Sequence, residues 1–327
     1  MALPGGPALP VVRQYWHVAS FSRGACAGLS SVGWGCHDPR QHDGERSRRL
    51  DWTTGEATVA QQYVTTERGL GPEGRIAVVT FDRHDGVNAL SPDALRQLTD
   101  AARSFEDDPV TSVVVLRGGP RAFSAGFDLK DPEGRSRADM NLGDLRRHLR
   151  LGPRLTRAWH DMDQITIAAI EGFCIGGGAA LAVALDFRVM ARDAHIRVPE
   201  IGLGMNMSWQ SVPRMLHLIG PARTKQAVIL ADQRIPAAEA REWGLVEELA
   251  EPGHAFDVAM ALAEKVAAQP PIPTAMTKQT VNRLTHALDD LASHMDVDQF
   301  ALASLTDDHR EGVDAFLQRR KPRFLGK

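Results

Sequence analysis

Gln164-Ile165-Thr166-Ile167-Ala168-Ala169-Ile170-Glu171-Gly172-Phe173-Cys174-Ile175-Gly176-Gly177-Gly178-Ala179-Ala180-Leu181 is the stretch that decides how this chain folds. Its first seven residues are uncharged and rich in β-branched side chains, the pattern of a buried strand. A turn at Glu171-Gly172 leads to three glycines, and the Ala/Leu-rich segment after them reads as a tightly packed helix. Glycine lets the backbone approach a ligand closely. The first turn of a helix has N–H groups with no intrahelical acceptor, backed by the positive end of the helix dipole. Such a place suits negative charge, standing or developing. A phosphate loop would carry a lysine or a regular G-x-G-x-x-G, and neither occurs. An oxyanion hole, which needs only aimed backbone N–H groups, and a glycine-packed helix crossing are both open from this stretch alone.

Upstream, Arg75-Ile76-Ala77-Val78-Val79-Thr80-Phe81 reads as the first strand and Asp82 to Leu90 as a polar loop. Ser91-Pro92 starts a helix, with a capping hydroxyl followed by proline in the first turn. Leu95, Leu98, Ala102 and Phe105 form its buried face. With the strand Ser112–Arg117 this makes a βαβ crossover and hence a parallel sheet. The small-residue turn Gly118 to Lys130 follows that strand's end, where ligands of α/β sheets sit, and it offers a second backbone donor. Residues 131–139 are charged and irregular, as in a lid, and Leu142, Leu145, Leu149 and Trp159 mark a helix. Downstream come a strand at Asp186–Ala191 and the segment His195 to Gly204. From Ser208 the pattern turns helical almost to the end, punctuated by Pro236, Pro270-Pro271 and Pro273.

Composition is that of a globular protein: 43% hydrophobic, 24% charged, net charge −3 over 327 residues. That balance offers no argument for nucleic acid or an anionic membrane, and no apolar run reaches the roughly 20 residues of a bilayer span. The three cysteines have no metal-like spacing, and His148, His160 and His195 read as structural, so no metal site is expected. A reducing cytoplasm is the simplest home. Residues 1–62 are rich in Gly, Pro, Ser and Arg and lack periodicity. They read as a disordered or mis-started extension. The absence of acidic residues before Cys36 leaves a mitochondrial presequence, and thus the matrix, as the alternative.

Four motifs in order carry a resemblance, over residues 63–327, to the crotonase (enoyl-CoA hydratase/isomerase) superfamily. Arg83 with Asn88-Ala89-Leu90 resembles the first CoA-binding loop of that family. Phe123 to Lys130 and Glu171 to Gly178 resemble its two oxyanion-hole segments. Asp307 to Gly312, with Phe316 and Arg319-Arg320-Lys321-Pro322, resembles its C-terminal helix signature. The resemblance implies an α/β fold, the crotonase (ClpP-like) spiral of ββα units, over residues 63–253. A C-terminal helical trimerisation region over 254–327 would assemble a homotrimer or a dimer of trimers. It also implies an acyl-CoA thioester as substrate and no further cofactor. The thioester carbonyl would accept from the N–H groups of Phe127 and Gly177. CoA contacts would come from Arg83, Asn88, Ala89, Ala125, Gly126, Asp128, Leu129, Lys130, Gly176 and Gly178, with Arg320 or Lys321 of a neighbouring subunit. Arg83 and Lys130 also suit plain surface charge, Arg320 and Lys321 read by default as a solvated helix end, and Asp82 and Asp85 add negative charge beside Arg83.

A hydratase of this family uses two glutamates. The first position, three residues after Gly177, holds Ala180, and the second holds Glu200. Pro199 and the apolar stretch after Glu200 predict a raised pKa suited to proton transfer near neutral pH. A lone carboxylate fits a 1,3-proton shift, as in Δ3,Δ2-enoyl-CoA isomerases, better than water addition. A hydratase, hydrolase or lyase using a lid acid (Asp128, Asp131 or Glu133) is the second expectation, and a catalytically silent member the third. Near-neutral charge argues against an RNA-binding one. Met205, Met207 and Trp209 read equally as an acyl-pocket wall or as core. Ser208 reads as a helix N-cap, with no base to make it a nucleophile.

Overall fold

The computed structural model describes residues 61–132, 140–231 and 233–327, and Gln61–Lys327 is one compact unit. The expected extension lies outside the described residues but for its last two, as do most of the expected lid and Glu133. The strands are β1 (Val64–Leu70), β2 (Ile76–Phe81), β3 (Val113–Arg117), β4 (Ile165–Ile170), β5 (Phe173–Ile175), β6 (Phe187–Ala191), β7 (His195–Arg197), β8 (Ile235–Pro236) and β9 (Glu248–Ala250). The first helices are α1 (Pro92–Arg103), α2 (Leu142–Leu149), α3 (Leu151–His160) and α4 (Gly177–Ala182). They are followed by α5 (Ser211–Ile229), α6 (Ala237–Trp243) and α7 (Ala255–Ala267). The last four are α8 (Pro271–Thr285), α9 (Asp289–Ser293), α10 (Asp296–Ser304) and α11 (Asp307–Leu317).

A six-stranded sheet runs β1-β2-β3-β4-β6-β9, parallel except at β1–β2. A smaller sheet runs β5-β7-β8. Every residue of β4 is buried, which is why its sequence is a continuous apolar run with no polar face. The chain steps from β4 in the large sheet to β5 in the small one and then into α4. It repeats the step from β6 to β7 and a 3-10 turn at Glu200–Leu203. These are the ββ-plus-helix turns of a spiral. The Ser91 side chain caps α1, accepting from the Ala94 N–H, and Leu95, Leu98, Ala102 and Phe105 are buried.

Four local expectations are corrected. Among the described residues regular structure begins at Val64 rather than Arg75, because β1 zips antiparallel onto β2 despite its polar sequence. Phe173–Ile175 is a strand, too short to announce itself without its partner β7. The single helix expected from Leu142 to Trp159 is two, broken at Arg150, with Leu142 exposed. The helical tail is interrupted by β8 and β9, and β9 completes the large sheet beside β6. In α7, Ala255, Ala259, Ala263 and Ala267 are all buried, so a small side chain every fourth residue seats this helix on β3, β4 and β6.

Candidate active site

Two turns meet where the small sheet reaches toward the large one. Ser124 bridges Cys174, and the Ile175 N–H donates to the Ser124 carbonyl at 2.9 Å. This lays residues 125–127 alongside 175–177. Contact is close enough that a Cβ on Gly126 would lie 2.7 Å from the Ile175 carbonyl oxygen and 3.1 Å from the Gly177 nitrogen. Gly126 also has φ +84°, in the left-handed region open mainly to glycine. The same economy recurs at Gly178, where a Cβ would sit 2.8 Å from that of Ser124.

The direction of each amide follows from its neighbours. The Leu90 N–H donates to the Gly126 carbonyl at 2.7 Å, and the Asp128 N–H donates to the Leu90 carbonyl at 3.0 Å. A trans peptide points its N–H opposite to its C=O. The Phe127 N–H therefore faces away from Leu90. In the same way the Gly176 carbonyl accepts from the Ala180 N–H at 2.9 Å inside α4, which turns the Gly177 N–H out of the helix start. Phe127 and Gly177 both line one cavity, together with Glu200. Two amides at one cavity, one of them at a helix start, can hold the charge that develops on a carbonyl oxygen.

Glu200 opens the 3-10 turn after β7. The residue is half-buried, its carboxylate is enclosed, and Oε2 has no hydrogen-bond partner among the described residues. Burial pushes this carboxyl up from 4.5 to about 7, against a small opposing pull from its own backbone and from Arg197. Its other oxygen, Oε1, would lie 2.7 Å from a Cβ on Gly176, so the first glycine of the run makes room for the acid. The turn is buttressed by α11. A Cβ on Gly312 would meet the Leu203 backbone at 2.7 Å, one on Gly204 would meet His309 Cα at 2.6 Å, and His309 Nδ1 lies 3.0 Å from the Leu203 carbonyl.

The rest of the wall is apolar: Leu95, Leu129, Leu149, Met205, Met207 and Trp209, with Val297 and Phe300 from α10. Ala180 contributes only a methyl group at the position where a second acid was sought. Met205, Met207 and Trp209, open between wall and core in the sequence, stand on the cavity wall. Ser208 does too; the helix beyond it begins at Ser211, so the expected N-cap is corrected. His148, read from sequence as structural, is buried on this wall with its ring edge-on to Phe127 at 6.1 Å. Nothing local in the sequence marks His148, Val297 or Phe300, because only the tertiary fold brings α2 and α10 to this cavity.

Of the expected CoA contacts, Leu129 lines the cavity, while Ala125, Gly126, Gly176 and Gly178 build its two turns. Arg83, Asn88, Ala89 and Asp128 are engaged with one another. Arg83 Nη1 bonds Asp128 Oδ2 at 2.6 Å and the Ala89 carbonyl at 3.0 Å. Burial works against both charges, yet the contact prevails: Arg83 and the Lys130 N–H hold the Asp128 carboxyl below its ordinary value. The Lys130 side chain is exposed. Arg320 is paired with Glu311 at 2.5 Å. Neither Asp128 nor Asp131 reaches the cavity wall, so the described part of the lid supplies no second carboxylate.

Asn88 is a structural keystone. It is 2% exposed, at φ +54°. Its Nδ2 donates to the Phe81 and Phe123 carbonyls at 2.7 and 3.0 Å, and its Oδ1 accepts from the Arg83 N–H at 3.0 Å. Asn88→Ala orphans three backbone groups and is expected to cost about 2–4 kcal/mol, read as a lower urea midpoint at unchanged slope.

A spiral of two sheets, with two backbone amides and an enclosed carboxyl group at one cavity, is an arrangement able to hold charge that develops on a carbonyl oxygen. The family model for enoyl-CoA hydratase/isomerase matches residues 71–327, and the chain belongs to that family. It is 32% identical over 259 residues to a crotonyl-CoA hydratase of Syntrophomonas wolfei, covering 79% of this chain and 97% of the relative. It is 31% identical to a short-chain-enoyl-CoA hydratase of Clostridium acetobutylicum, covering 77% and 95%. An enoyl-CoA hydratase from Mycobacterium avium subsp. paratuberculosis superposes with TM-score 0.70 at 25% identity, covering 80% and 97%. A carnitinyl-CoA hydratase from Mycobacterium avium gives 0.70 at 26%, covering 82% and 100%. The fold is the crotonase fold, as the four motifs imply. No helix among the described residues is long and apolar enough to cross a membrane.

Proposed function

We propose that this chain binds an enoyl-CoA thioester and shifts its double bond. Glu200 takes the C2 proton of a 3-enoyl-CoA, the Phe127 and Gly177 N–H groups hold the dienolate oxygen, and the proton returns at C4. The observation that carries this reading is that Glu200 is the sole carboxylate on the cavity wall among the described residues, with a pKa pushed to about 7. A group of that pKa both accepts and returns a proton near neutrality. No cofactor beyond the CoA thioester is needed. The exposed apolar residues of the C-terminal helices, among them Ile272, Leu284, Leu291 and Leu302, suit a homotrimer or a pair of trimers.

The test supplies purified protein with 3-enoyl-CoA and with 2-enoyl-CoA. Isomerisation of the first is expected to exceed hydration of the second by about tenfold or more. Equal rates would overturn the isomerase reading and leave the family chemistry standing. Hydration is the second reading, supported by the hydratase relatives and by one observation. His148, also on the wall, is a side chain able to orient a water, as Ala180 is not. Under that reading His148→Gln abolishes hydration of 2-enoyl-CoA. Under the isomerase reading the same substitution leaves the 1,3-shift within about threefold.

A further inference from the structure

We infer that Trp209 sets the length of acyl chain this cavity accepts, making short-chain enoyl thioesters the substrate class; this rests on the acyl-CoA reading above. The indole fills space that two glycines leave open. A Cβ on Gly152 would lie 1.8 Å from Trp209 Cε2, and one on Gly177 would lie 2.7 Å from Cη2. The ring therefore spans from the first turn of α3 to the first turn of α4, beside the amide proposed to hold the thioester oxygen.

The backbone beneath it is held against its preference. Trp209 and Gln210 adopt φ +62° and +58°, two adjacent non-glycine residues in the left-handed region. Three hydrogen bonds from three different helices fix them there. Thr156 Oγ1 donates to the Trp209 carbonyl at 2.9 Å, Arg214 Nη1 donates to the same oxygen at 3.1 Å, and Asp296 Oδ2 accepts from the Gln210 N–H at 2.9 Å. A tryptophan that merely fills core needs no such backbone. Backbone strain that several neighbours over-determine clusters at active sites and ligand clamps.

What remains open is small. The free space is about 70 Å³. An engineered apolar cavity that admits benzene measures ~150 Å³. Met205, Met207, Val297 and Phe300 make the lining hydrocarbon-like, so the limit acts on alkyl length rather than on polarity.

The test is calorimetric binding of butanoyl-, hexanoyl-, octanoyl- and decanoyl-CoA to the wild-type chain, Trp209→Phe and Trp209→Gly, the last of which also relieves the left-handed backbone. Each methylene beyond the wall costs affinity. Wild type is expected to favour butanoyl- over decanoyl-CoA by about tenfold or more, W209G to erase that ratio and W209F to reduce it about threefold. Uniform binding by wild type overturns the inference, as does an equal change at every length in both variants. Length-selective binding without isomerisation would instead remove the catalytic reading and leave the length limit in place.

Discussion

Glu200→Gln is expected to lower kcat by about 10²–10⁴-fold while the protein folds and binds acyl-CoA normally. The substitution keeps the size of the side chain and removes its ability to carry a proton. In the wild type, the C2-deprotonating form is the carboxylate, so kcat/KM should rise as pH passes through about 7, the value to which burial lifts Glu200 in the free enzyme. A pH–rate profile checks this, and an acidic limb near the ordinary glutamate value would contradict it.

The same shift has a stability consequence of opposite direction. A carboxyl whose folded pKa is raised above its unfolded value contributes stability that is fully present below about 4.5 and is lost as pH rises through about 7. At pH 8 the folded chain holds an ionised carboxylate in an enclosed site, a penalty on the order of 3 kcal/mol. The glutamine variant carries no such penalty. Its Tm should exceed that of the wild type at pH 8 and match it at pH 4.5, so the residue that works is also one that destabilises.

Gly126→Ala is the second large effect. The new methyl meets the Ile175 carbonyl oxygen at 2.7 Å and the Gly177 nitrogen at 3.1 Å, at a residue with φ +84°. Backbone on both sides cannot swing aside as a long side chain does. The two turns must part, carrying the Phe127 and Gly177 amides with them, and loss of aim at one donor costs about 10²–10³-fold in kcat. Gly69→Ala separates strain from aim, since Gly69 has φ +74° with nothing within 4 Å of the added carbon. It should cost about 1 kcal/mol of stability and leave kcat unchanged. Comparable losses of kcat in the two variants would mean that the Gly126 contact with Gly177 does not matter to the chemistry.

The legible parts of the chain were those whose physics is local. The buried run Ile165–Ile170, the Ser91-Pro92 cap and the glycines after β5 could each be read from a few adjacent residues. β1 could not, since Val64–Leu70 has a mostly exposed surface and becomes a strand only by pairing with β2. Nor could the fate of Arg83: spacing brings it near the CoA loop, but only the folded chain brings Asp128 within 2.6 Å to occupy it.

Sequence by itself determined the βαβ order, the two glycine turns and the single acid left once Ala180 stands in place of a glutamate. These depend on residue type and short-range spacing, which survive without coordinates. Tertiary structure alone decided that the Gly126 and Gly177 turns touch, that α11 braces the Glu200 turn, and that Trp209 and His148 reach the same cavity. Those contacts join segments tens to more than a hundred residues apart, and packing between distant segments leaves no periodic trace in the chain.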